Sequence, residues 1–333
     1  MIERNICYFN LRKIMNSGQV FRMYEPWEGH FVVYSGNRRI ELDQDGETVR
    51  FYCNKVEFET YWERYFDLQR DYGSIVKKAL ERNVQGAGFI KASCRFASDI
   101  RILDQNIWEM MISFIISQQK QIPSIRKCIE ALCKRFGEKH IIPEDRKIIK
   151  PEMSKNGVVG EAPAENVWYG FPRAEAIASA GPDGVKGLSL GYRERYIYET
   201  AVKYISDGLS ERDISELDYA EAKKYLCTFP GIGEKVADCV CLFGCGFLDA
   251  FPIDVHIKEI LYREFMPDER KKRIENALHK KLNLPLDLPL PKRKIIDSIS
   301  YSDYLNIIDV GFSDFAGVRG IVQQWIFAYE LNG

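Results

Sequence analysis

The chain has 333 residues, 46% of them hydrophobic and 13% aromatic, with 47 basic and 48 acidic side chains. That is enough apolar material for two or three domains with real cores. A formal charge of -1 excludes a globally basic nucleic-acid coat, though not a local basic face. No run approaches the roughly 18 apolar residues of a membrane span, so no membrane association is expected. The start, MIERNICYFN, has no basic-then-apolar signal pattern. Nine scattered cysteines with no CxxC pair indicate neither a disulfide framework nor a zinc ribbon. Reduced thiols in a cytoplasmic chain are the expectation.

Residues 19–53 read as strands. QVFRMYEP, HFVVYSG, RRIELDQ and TVRFYC are short and rich in aromatic and β-branched residues. Turn signals at Ser35-Gly36-Asn37 and Asp45-Gly46 separate them, so an antiparallel meander is predicted. Over residues 56–84 the spacing becomes helical. Phe58, Trp62, Tyr65 and Phe66 form one apolar stripe, and Ile75, Val76 and Leu80 another. The prediction is an N-terminal α+β domain over residues 1–100, followed by an all-α domain over 101–333.

In the second part, Asn106 or Asp104 can cap a helix carrying Ile107, Met110, Met111, Phe114 and Ile115. Ser117-Gln118-Gln119-Lys120-Gln121 interrupts the pattern before IPSIRKCIEALCKRFG, an amphipathic helix. Residues 143–168 lack periodicity and read as a loop or flexible insertion. Helices are expected near 172–180, 191–207, 218–227, 234–246 and 255–265. A proline-punctuated link near 284–291 leads to a last helix over 315–330.

DYAEAKKYLCTFPGIGEKVADCVCLFG reads as helix, tight turn, helix. The glycines Gly231 and Gly233 let the backbone approach a ligand and expose N–H groups at a helix start, which suits a phosphate. Lys235 then stands in the first helical turn, where the dipole disfavours its charged form. Only a neutral amine is a nucleophile. Most helix lysines are simply solvated, so position alone is weak evidence. Cys239, four residues on, shares its face. Asp254, in Pro252-Ile253-Asp254-Val255-His256, is expected to cap the next helix. A carboxylate held in this way could also stabilise a developing cation.

PGIGEKVADC followed by PIDVH at this spacing resembles the helix-hairpin-helix DNA glycosylases. The likeness is to their 8-oxoguanine DNA glycosylase/AP lyase branch. NSGQVFRM, SFIISQQKQI, GFPRAEAIA, LGYRERY and the final AGV…VQQWIF continue it, in order, over residues 5–330. The resemblance implies a β-sheet domain followed by a helical domain with its cleft among the helices. It implies that Lys235 attacks C1′ of the damaged nucleotide and forms a Schiff base, and that Asp254 assists base departure. Gly18 would offer its carbonyl to the N7–H that 8-oxoguanine has and guanine lacks. Gln323 would read the edge of the base, Phe327 would stack on it, and Cys239 would line the pocket beside the lysine. His256 would face a phosphate. The hairpin carbonyls of Cys227, Phe229 and Ile232 match the place where the family holds a structural cation. No catalytic metal or organic cofactor is implied.

Two departures from the family bear on the base opposite the lesion. Gln119 stands in place of an asparagine, and Ser124 in place of an arginine that reads the orphaned cytosine. Arg193 keeps a second cytosine-reading arginine, and Tyr192 the adjacent wedge. The expected partner is damaged double-stranded DNA, bound by a monomer through few phosphates. Other readings are a related glycosylase for another oxidised or alkylated base, and a non-catalytic helix-hairpin-helix DNA-binding protein. Borohydride treatment with lesion-bearing duplexes separates the three.

Overall fold

The computed structural model describes residues 1–142, 166–208 and 211–333. Most of the expected insertion, residues 143–165, lies outside the described residues. Five antiparallel strands form a sheet in the order β1-β5-β4-β3-β2: β1 Ile2–Asn5, β2 Met23–Trp27, β3 His30–Ser35, β4 Arg38–Asp45 and β5 Thr48–Phe51. Two-residue loops join Ser35 to Arg38 and Asp45 to Thr48. Gly36 and Gly46 take the positive φ that these tight turns require. The meander is therefore as predicted, with β1 added at its edge. β2 begins only at Met23, and Gln19 ahead of it is buried, with its side-chain amide bonded to Ser17, Arg101 and Leu103.

Phe58, Trp62, Tyr65 and Phe66 are all almost fully buried and pack against one another and against Phe51 of β5. The second stripe is corrected at one place. Leu80 is exposed while Ala79 is buried, so the apolar face of the helix Tyr72–Glu81 turns one residue earlier.

The chain forms two compact units, residues 1–70 with 99–250, and residues 71–98 with 251–333. In the first unit the helix Ile107–Ser117 is buried on every side from Ile107 to Ile116. Of the two capping candidates, Asn106 caps it, accepting the Glu109 N–H at 2.8 Å. The helices Ile122–Phe136, Arg193–Asp207 and Glu234–Phe243 lie near it. Residues Val167–Tyr169 form a short strand with Lys139–Ile141, with Trp168 packed on His140 and Tyr34. Residues 167 and 168 are thus strand rather than loop.

The second unit is all helical within the described residues. Helix Ala87–Ala97 packs on the last helix, Arg319–Asn332, with Phe89 and Phe96 against Tyr329. Arg82 donates to the Gly311 carbonyl at 2.6 Å and pairs with Asp314, which ties the early segment to the end of the chain. The helix Asp268–Leu282 was not expected, nor were Lys292–Ser298 and Tyr301–Gly311.

Candidate active site

The hairpin is built locally. Asp218 and Glu221 form a capping box that starts the helix Tyr219–Leu226. Lys223 reaches across to Glu234 and Asp238, both at 2.9 Å, and fastens this helix to Glu234–Phe243. Between them the chain turns through Cys227–Gly233, where Gly231 takes φ +81°. A Cβ at Gly231 would meet the Tyr196 ring at 2.8 Å, so conformation and close approach both demand glycine here. The turn is held from outside as well. Gln118 donates its side-chain amide to the Gly231 carbonyl at 2.7 Å, and the Thr200 hydroxyl donates to Pro230 at 3.0 Å.

Gly233 is the N-cap of the second helix, and no side chain caps that start. Lys235 occupies the second helical position, half-buried, with its ammonium 5.3 Å from the centre of the Phe114 ring. Such a contact is attractive while the amine is protonated. Cys239 is buried one turn further along. Phe114 also meets Phe21 edge-on at 5.6 Å and stacks on Phe243. The segment Gly18–Phe21 is thereby brought to the aromatic group under Lys235.

Gly18 has φ +81°, following directly on the short helix Leu11–Asn16 and its C-cap Ser17. The buried Gln19 beside it fixes its position. Its amide donates to Ser17 Oγ and the Arg101 carbonyl, and accepts from the Leu103 N–H at 2.8 Å. The Gln19 carbonyl accepts from Gln105, whose own N–H donates to the Phe243 carbonyl. Gly18, Lys235 and Cys239 therefore share one connected framework.

Tyr192 and Arg193 lie at the start of the helix Arg193–Asp207. Tyr192 is half exposed, and the Arg193 guanidinium stacks over its ring at 4.3 Å. Arg193 itself is buried and donates to the carbonyls of Leu190 and Gln118. Gln119 has φ +51°, a left-handed conformation in which asparagine is more at home than glutamine. Ser124 is exposed in the first turn of Ile122–Phe136.

The second unit carries the remaining candidates. Asp254 caps Val255–Ile260, its Oδ1 accepting the Ile257 N–H at 2.8 Å, as expected from sequence. Gln323 is buried on the last helix and donates to the Pro252 carbonyl at 3.2 Å, two residues before Asp254. Its Oε1 accepts from Gln324. Phe327, one turn on, is partly exposed and meets the His256 ring edge-on at 6.3 Å. Asp254, His256, Gln323 and Phe327 thus form one group.

The hairpin carbonyls offer only hard oxygen donors, a set suited to an alkali or alkaline-earth cation. The Phe229 carbonyl accepts the Ile232 N–H at 3.1 Å and keeps a second lone pair. Sequence reasoning gave no role to Phe21, Phe114, Gln19 or Gln118. Its one available signal was the run of glutamines at 118, 119 and 121 between two apolar helices.

Residues 1–111 match the 8-oxoguanine DNA glycosylase N-terminal domain. The N-glycosylase/DNA lyase of Saccharomyces cerevisiae is 27% identical, over 97% of this chain and 84% of its own length. The 8-oxoguanine glycosylase/lyase of Clostridium acetobutylicum is 28% identical both in its apo-form and in a complex with double-stranded DNA containing cytosine opposite 8-oxoguanine. The two structures superpose with TM-scores of 0.69 and 0.72, each covering 98% of this chain and at least 93% of the relative. Residues 112–284 match the HhH-GPD superfamily of base excision DNA repair proteins, and this chain belongs to that family.

Proposed function

We propose that the protein is a bifunctional DNA glycosylase and AP lyase that removes 8-oxoguanine from duplex DNA. The observation that carries this is the lysine itself. Lys235 follows an uncapped glycine turn suited to backbone phosphate, with its amine over Phe114 and Cys239 one turn along. Its side chain is half-buried against Phe114 rather than standing on the solvated face of the helix.

The damaged nucleotide is flipped from the stack, at a cost of a few kcal/mol that pocket contacts offset. The neutral Lys235 amine attacks C1′ as the C1′–N9 bond breaks. The bonding pair leaves with the base, which takes up a proton, and the amine loses one. Ring opening, with O4′ protonated, gives the iminium. Loss of a C2′ proton then expels the 3′ oxygen, cutting the strand, and water hydrolyses the iminium to restore the lysine. Asp254, held at its helix start by the Ile257 N–H, stabilises the cationic sugar. Gly18, Gln323, Phe327 and Cys239 recognise the base. His256 and the N–H groups after Gly233 hold phosphates, and a cation on the hairpin carbonyls would add a positive charge there. The protein acts as a monomer.

The test is borohydride trapping on duplexes carrying 8-oxoguanine, an alkylated purine or no lesion. A covalent adduct is expected with the 8-oxoguanine duplex. Trapping only on another lesion would overturn the substrate assignment, and binding with no adduct on any duplex would overturn catalysis.

A further inference from the structure

The near-neutral balance of the chain conceals a segment of different character. Residues 268–298 hold nine Lys or Arg against five Asp or Glu, so the compensating negative charge lies elsewhere. The segment comprises the helix Asp268–Leu282, a proline-punctuated link and the helix Lys292–Ser298, and the two helices lie against each other. On the first helix the exposed positions are 268, 269, 272, 273, 276, 277, 280 and 281. That recurrence is one continuous stripe at helical spacing. It begins with Asp268 and Glu269 and continues with Lys272, Arg273, Lys280 and Lys281.

Arg270, Lys271 and Arg293 pair with Asp303, Asp268 and Asp297. Among the described residues, no carboxylate forms an ion pair with Lys272, Arg273, Lys280, Lys281, Lys292 or Lys294. Helix stability accounts for only part of this pattern. The early acids, and Lys280 and Lys281 in the last turn, complement the helix dipole. Lys292, Arg293 and Lys294 do the opposite, filling a first turn that contains no acid. All three are exposed, so packing does not require them either.

Exposed cations without an ion-pair partner, with Lys292 and Lys294 at places that weaken their own helix, complement a polyanion. Their surroundings narrow the choice. The Glu330 carboxyl is held below the usual carboxylate range by the hydrogen bond from Arg263, and the charges of His256 and Lys292 add to the effect. Lys271, on the first basic helix, donates to the Arg263 carbonyl at 2.9 Å, and Arg263 pairs at 2.7 Å with Glu330 on the helix that carries Phe327. The superfamily match ends at residue 284, so Lys292 and Lys294 lie beyond it.

We infer that the basic face formed by Lys280, Lys281, Lys292 and Lys294 contacts phosphates of duplex DNA flanking the damaged nucleotide, as a second backbone site separate from the hairpin. This rests on the functional reading above, and it replaces the expectation of few phosphate contacts that the net charge suggested.

Duplex affinity measured across a salt series tests it, for the wild type and for two quadruple variants. One carries Lys280→Gln, Lys281→Gln, Lys292→Gln and Lys294→Gln, and the other has arginine at the same positions. Each phosphate left without its cation lowers the slope of log K against log salt by roughly 0.9. The glutamine variant should lose about 2–3.5 units of slope, and the arginine variant should keep the wild-type slope. Equal slopes for glutamine variant and wild type would overturn the inference, as would an equal drop in the arginine variant. Tighter retention of the wild type on phosphatidylserine vesicles than on duplex would overturn it too, assigning the face to a membrane surface. A wild type that forms no borohydride adduct, yet shows the slope difference, would sink the catalytic reading and leave the basic face standing.

Discussion

The two residues assigned to the chemistry stand at two helix starts with nearly the same backbone and opposite chemistry. Gly233 has φ -96° and ψ -179°, and Asp254 has φ -97° and ψ -172°. Any residue can adopt that extended conformation, and a Cβ at Gly233 would meet nothing within 4 Å. Glycine is therefore not required there by geometry, as it is at Gly231. Its effect is to leave the first N–H groups of the helix without a side-chain acceptor, open to an anion, with Lys235 among them. At Asp254 the cap supplies its own anion and closes the helix start. On the proposed function, one start is left for a phosphate and the other presents a fixed carboxylate to a cation.

The largest expected effect comes from removing the amine. Lys235→Gln should abolish the borohydride adduct and slow excision at least about a thousandfold, as loss of a nucleophile does. Duplex affinity should change little. An adduct formed by this variant at wild-type yield would remove Lys235 from the chemistry. Asp254→Asn separates capping from charge, since asparagine caps as well as aspartate. Thermal stability should be nearly unchanged while single-turnover excision falls roughly 100- to 1000-fold. Wild-type excision in this variant would reduce Asp254 to a cap.

Transplanting one start onto the other sharpens the comparison. Gly233→Asp should stabilise the fold by only a few tenths of a kcal/mol. It should also weaken duplex binding about tenfold or more, because an aspartate would occupy the N–H groups and repel phosphate. Denaturant melts and a binding titration read the two effects separately. Unchanged affinity would mean that this helix start does not meet DNA. Gly231→Ala should instead destabilise the fold by about 1–2 kcal/mol, since φ +81° and the Tyr196 ring both oppose a side chain.

What the sequence disclosed follows the range of the interactions. β3, β4 and β5 were legible because alternation and tight turns are local signals, as were Asn106 and Asp254 as caps. β1 was not, because IERN is polar and mostly exposed and becomes a strand only by pairing with β5. The helix Asp268–Leu282 buries only Leu278 and His279, too little to mark an apolar stripe. Lys235 is legible as a candidate through its motif. The Gln118 clamp on Gly231 spans 113 residues, and no local pattern announces it. The same holds for Phe114, whose helix is buried on every side and so gives no hint which ring faces the lysine.

The smallest expected effect concerns a third helix start, where a cation is again placed in the first turn but is turned inward. Arg193 opens Arg193–Asp207, yet its guanidinium donates to Leu190 and Gln118 rather than standing free as a fork for a base. Its Nε is buried without a partner. Arg193 is buried and two of its N–H donors are already used on carbonyls, so presenting a fork to an orphaned cytosine requires it to move, and the gain from a base is offset by any contact it gives up. Ser124 has one short hydroxyl and cannot replace an arginine fork. A good bidentate contact gives about 1–3 kcal/mol of discrimination, and none is ready here. The enzyme should therefore excise 8-oxoguanine opposite all four bases, with a cytosine preference under about tenfold. Single-turnover rates on four duplexes differing only in the opposing base decide this. A preference of several hundredfold would require Arg193 or Gln119 to swing onto the cytosine. In that case Arg193→Ala should erase the preference, whereas an inward, structural arginine predicts a less stable hairpin with the ratio of the four rates unchanged.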